Sequence, residues 1–144
     1  MEQSGLHSPV ESRLQRFGLL PLRLAVGLVF LMHGGQKFFV FGLAGTADIL
    51  GKLHIPVPTL AAVIVIAAEL LGGLAIIVGL FARWAGLALA IEMLVAIPVA
   101  RVAGGFFAPY GFEFEFTLLG ACLTFAMLGS GGASLERVLR APRQ

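Results

Sequence analysis

Several ionisable side chains lie within or at the ends of strongly apolar sequence: His33 and Lys37 close a first apolar stretch, Glu69 is the only charged residue between Lys52 and Arg83, and Arg101, Glu113 and Glu115 flank the last loop. An ionisable group surrounded by hydrocarbon is expensive unless it is paired, protonated or exposed to a cavity. His33 and Lys37 are i,i+4 neighbours on one helical face. Glu69 has Gly72, Gly73 and Ile76 on its face at i+3, i+4 and i+7, so the carboxylate is expected beside a notch where another helix can approach.

The depth of each residue follows from a rise of about 1.5 Å per residue, which puts Glu69 about 18 Å from the cytoplasmic end of its segment, past the membrane midplane. Lys37, Arg101 and Glu113 are expected at the outer ends of their segments, at a similar level. Glu113 starts a stripe of Thr117, Gly120 and Thr124, small or polar throughout, which reads as an interior face. Glu115 shares its side with Leu118, Leu119 and Cys122 and reads as rim-facing.

His33, Lys37, Glu69, Arg101 and Glu113 together define a candidate polar pocket. Such a pocket could hydrogen-bond the carbonyl oxygens of a quinone-like headgroup. Lys37 or Arg101 would stabilise developing negative charge, and an acid or His33 would supply a proton. Two plainer readings stand beside it: Glu69, protonated or paired with Lys37, only glues helices together, and Lys37 only extends toward the headgroups. Glu92 lies lower in its segment and is expected to form a structural ion pair with Arg23, with a proton path from Glu92 to Glu69 as the alternative. No metal site is expected, because His33 and Glu69 have no second histidine at ligand spacing and His7 and His54 fall in a tail and a loop.

The elements that must position these residues are apolar segments over residues 17–41, 60–81, 84–102 and 112–128. Hydrophobic residues make up 58% of the chain and charged residues 12%, a balance that fits a protein surrounded by lipid better than a soluble domain. Each segment reaches, or nearly reaches, the roughly 20 residues needed to cross a hydrocarbon core. The expected fold is all-α, a four-helix transmembrane bundle over residues 13–132, with a cytoplasmic tail over 1–12 and a basic cytoplasmic C-terminal segment over 133–144. The first segment is read as a retained helix and not a cleaved signal peptide, because His33-Gly34-Gly35-Gln36-Lys37 follows it where a small-residue cleavage site would be needed.

Arg13, Arg16, Arg23, Arg83, Arg137, Arg140 and Arg143 fall on one side of this topology, against Lys37, Lys52 and Arg101 on or near the other. That bias puts both termini in the cytoplasm. The net charge of +2 is thus a topology signal, and no nucleic-acid partner is implied. Cys122 is the sole cysteine, so the chain cannot form an internal disulfide or a CxxC redox pair. The loop Gly104-Gly105-Phe106-Phe107-Ala108-Pro109-Tyr110-Gly111 reads either as an aromatic interface belt or as a lid.

Arg23-x3-Gly27-x2-Phe30-x2-His33-Gly34-x2-Lys37, then Glu69-x2-Gly72-Gly73, Gly79-Leu80-Phe81-Ala82-Arg83 and Gly111-Phe112-Glu113-Phe114, occur in an order that resembles the DoxX family of small bacterial membrane proteins. The resemblance spans about residues 17–136. It implies a four-helix inner-membrane protein, similar to subunits of quinone-linked sulfur oxidoreduction or to proteins associated with membrane oxidoreductase assemblies that handle oxidative or thiol stress. The family's polar helix positions fall on Arg23, His33, Lys37, Glu69 and Glu113. Where family members often have a glycine-proline-glycine turn, this chain has Gly129-Ser130-Gly131-Gly132, and it has no cysteine pair for a self-contained disulfide-reductase mechanism.

The leading expectation is a membrane subunit that binds a quinone, embedded in membrane lipid and serving a membrane or soluble redox partner. No cofactor motif for flavin, haem or iron–sulfur is present, and catalysis by the chain itself is left open. The alternatives are a non-catalytic scaffold or assembly protein and, after it, a small-solute transporter. A transporter would require a homo-oligomer to line a pathway, and the glycines at 27, 72, 73, 86 and 120 could serve packing within one chain or between copies.

Overall fold

The protein is an all-α, multi-span helical bundle with three apolar helices of membrane length, over Leu20–Lys52, Pro58–Val78 and Ala82–Gly104. The structure, a computed structural model, describes residues 17–140. The expected tail over 1–12, Arg13, Arg16 and Arg143 lie outside the described residues.

Helix α1 runs from Leu20 to Gly35, with Pro21 in its first turn, where a missing N–H costs least. It continues into a π-helical turn, Gln36–Phe41. Gly42, at φ 67° and ψ 172°, leaves helical geometry and separates that turn from α2, Gly42–Lys52. The 11 residues of α2 make about three helical turns, anchored by the buried Thr46, whose hydroxyl donates to Lys37 O at 3.1 Å.

Helix α3 spans Pro58–Val78 and α4 spans Ala82–Ala96, joined by a tight turn through Gly79. Pro98 falls in a second π-helical turn, Ile97–Arg101, followed by a single 3-10 turn, Val102–Gly104. Proline cannot donate to the helix ladder, so a change in pitch at this position has a direct cause. Helix α5 is Glu113–Leu128 and α6 is Leu135–Arg140. With 16 residues, α5 is shorter than the about 20 that span a hydrocarbon core.

Small residues set the helix contacts, as expected where lipid removes the ordinary hydrophobic drive and close packing must replace it. A Cβ on Gly73 would stand 2.7 Å from Gly27 O, and one on Gly34 would stand 2.9 Å from Glu69 Cβ, so α1 and α3 lie backbone to backbone and antiparallel. Gly86 meets Cys122 O and Ala126 N in the same way, which packs α4 antiparallel against α5. Gly72 receives Leu89 and joins the two pairs. Phe30, Ile76, Leu89 and Phe125 fill the centre, while Phe39, Leu71, Trp84 and Met127 point outward, as lipid permits.

Candidate functional site

The π-helical turn that carries Lys37 aims it at α3. The ammonium donates to both oxygens of Glu69, at 2.7 and 2.6 Å. Glu69 is 3% exposed and sits near the middle of α3, so this is an ion pair inside the bundle. Gly34 makes it reachable, because any side chain there would strike the start of the Glu69 side chain.

Glu92 comes to the same level. Leu89 packs into Gly72, and one turn farther along two antiparallel helices are Glu92 on α4 and Glu69 on α3. That register brings the Glu69 and Glu92 carboxyls toward each other at one level of the bundle, with the Cys122 thiol buried on the neighbouring α5. Glu92 Oε2 is buried and has no hydrogen-bond partner among the described residues.

The expected Arg23–Glu92 pair is not formed. Arg23, 2% exposed, spends its guanidinium on backbone carbonyls: Nε donates to Ile76 O at 2.9 Å, Nη2 to Ile77 O at 2.8 Å, and Nη1 to Ser130 O at 3.0 Å and to Ala133 O. The reason is level. Arg23 meets the last turn of α3, seven residues from Glu69, which at 1.5 Å per residue is about 10 Å from Glu92's plane. The C-terminal carbonyls of a helix carry partial negative charge, so a cation is well placed there without an acid.

The reading of the α5 acids is reversed. Glu115 is buried and accepts from Arg101 Nε at 2.8 Å, and its Oε2 is buried with no partner among the described residues. Glu113 opens the helix and turns back to accept from Ala108 N at 2.9 Å, folding the loop onto its end. Leu118, Leu119 and Cys122 beside Glu115 are buried, whereas Thr117 and Gly120 face outward. Thr117 and Thr124 donate to the carbonyls four residues back, Glu113 O and Gly120 O, so their hydroxyls are satisfied without an interior partner.

His33 faces outward, its Nδ1 2.8 Å from Val29 O and its ring 6.0 Å from that of Phe114. It lines an open groove of about 660 Å³ with Met32, Gln36, Phe39, Val40 and Leu70. The five expected pocket residues therefore do not converge on one cavity. Lys37 and Glu69 form one buried pair, Arg101 binds Glu115, Glu113 caps a loop and His33 borders a lateral groove.

The model of the DoxX family matches residues 18–103. CatD of Bacillus subtilis, whose name places it provisionally among the oxidoreductases, is 32% identical over 119 residues, 83% of this chain and 84% of that protein. An uncharacterized protein of Haemophilus influenzae is 34% identical over 119 residues, 80% of this chain and 85% of its own. The inner membrane protein YphA of Escherichia coli is 30% identical over 125 residues, 83% of this chain and 88% of its own. No solved structure matches the chain.

Proposed function

The chain belongs to the DoxX family of multi-pass inner-membrane proteins, and on that premise we propose that it is a quinone-binding subunit of a membrane oxidoreductase system. The observation that carries the reading is the Lys37–Glu69 pair, at one level with a Glu92 oxygen that has no partner among the described residues, together with a laterally open groove that His33 and Leu70 border. A polar cluster of this kind inside an apolar bundle is a functional site by default. A lateral groove suits a ligand that arrives through the lipid. In this reading the quinone ring lies in the groove, the second nitrogen of His33 donates to one headgroup oxygen, and the carboxyl cluster supplies a proton. Electrons come from a membrane or soluble redox protein, because a lone thiol cannot cycle as a dithiol.

The proposed topology has four crossings, α5 being the fourth, and cytoplasmic termini. It is supported by the close antiparallel packing of α5 on α4 and by the arginine bias of one side. A scaffold reading is favoured by one specific feature, the outward face of Thr117, Gly120 and Thr124, where a partner helix from another protein or a second copy could pack closely.

Lipid extraction and mass spectrometry of the purified protein test the choice, with wild type compared against His33→Leu and Lys37→Met. The quinone reading expects a stoichiometric quinone in wild type that is lost on His33→Leu. Wild type carrying only phospholipid would sink it and leave the scaffold reading in its place.

A further inference from the structure

Four elements contribute titratable groups to the level of Glu92: the turn after α1 brings Lys37, α3 brings Glu69, α4 brings Glu92 itself and α5 brings the Cys122 thiol. Arg23 is committed to carbonyls at another level and Arg101 to Glu115. The cluster therefore holds one cation against two carboxyls. Two ionised carboxylates brought to one level of the bundle, away from water, repel strongly, and sites built this way resolve the conflict by sharing a proton. Lys37 directs hydrogen bonds to both oxygens of Glu69, which marks Glu69 as the ionised member. Glu92 Oε2, buried with no donor, points the same way: a neutral carbonyl oxygen tolerates that position far better than a carboxylate oxygen does.

We propose that Glu69 and Glu92 form a one-proton site within the bundle, in which the Glu92 carboxyl donates its proton to Glu69 while Lys37 balances the remaining charge. Glu92 is then a proton carrier and not a structural tie. The bound species is a single proton, held whether or not a quinone occupies the groove, so the fate of this site is separable from that of the ligand.

The experiment is infrared difference spectroscopy on the intact protein in vesicles, reading the C=O stretch of protonated carboxyl groups and its shift in heavy water. Glu92→Gln is expected to remove one protonated carboxyl per chain. Glu69→Gln should remove the same band, because Lys37 then pairs with an ionised Glu92. Lys37→Met should double the band, because neither carboxyl keeps a counter-charge. A band that survives Glu92→Gln overturns the proposal, and so does one lost on Glu92→Gln but retained in Glu69→Gln, which would assign the proton to Glu92 alone. Glu92→Gln preserves shape and hydrogen-bonding size, so that variant decides the matter even if Lys37→Met fails to fold.

Discussion

Two cations of this bundle, Arg23 and Lys37, are treated in opposite ways. Arg23 is surrounded by four carbonyl oxygens from two segments, and every one of its guanidinium nitrogens is used. Lys37 has one carboxylate, remains 24% exposed at its side chain, and lies at the level of a second acid with an oxygen that nothing satisfies among the described residues. Arg23 makes a closed account of donors and acceptors and ties the end of α3 to the segment before α6. The Lys37 level leaves capacity over. A polar group whose bonds are complete is a structural joint, whereas an incomplete set inside a membrane protein is where protons or ligands can be exchanged.

Arg23→Met offers the largest test of this contrast. It removes several charge-assisted hydrogen bonds worth about 1.5–3 kcal/mol each, so thermal or denaturant unfolding in detergent should show a loss of more than about 3 kcal/mol. Arg23→Lys should recover less than half of it, because an ammonium lacks the planar fork. Gly79→Ala should come next, at about 1–3 kcal/mol, since Gly79 has φ 70° and a Cβ there would run into the Arg23 guanidinium. Glu69→Gln should cost less, about 1–2 kcal/mol, because Glu92 is at hand to take over Lys37. Glu92→Gln should be smallest, within about 0.5 kcal/mol of wild type, while abolishing the protonated-carboxyl band. If Glu92→Gln destabilised the protein as much as Arg23→Met, the distinction between a joint and an exchange site would collapse.

The helical architecture and the placing of charges inside it were legible because apolar length and scarce charge are properties of local sequence. Partners were harder. Arg23 looked in need of an acid, and Glu92 was the acid available; its real partners are carbonyls, which every residue carries and no sequence pattern distinguishes. The signals present were Gly79 and the glycines of 129–132, which let the chain turn its carbonyls inward at that end. On α5 the face was misjudged for a different reason. In a soluble helix the polar side faces out, but here both faces are apolar enough for their surroundings, and Thr117 and Thr124 hide their polarity in their own helix. Glu115 was therefore assigned to the rim although its neighbours Leu118, Leu119 and Cys122 belong to the core.

Lys37 and Arg101 share one further property: each lies in a π-helical turn, Gln36–Phe41 or Ile97–Arg101. Such a turn fits one residue more than the α-helix it interrupts, so its geometry depends on chain length as much as on side-chain identity. Deleting a single codon ahead of the cation in either turn would tighten it to ordinary helix and move the cation back by one position, about 100° around the helix axis. A substitution edits one side chain of this protein; a frame-preserving deletion of one residue would re-aim a whole cation, and insertions and deletions are therefore the sharper genetic probe of its charged interior.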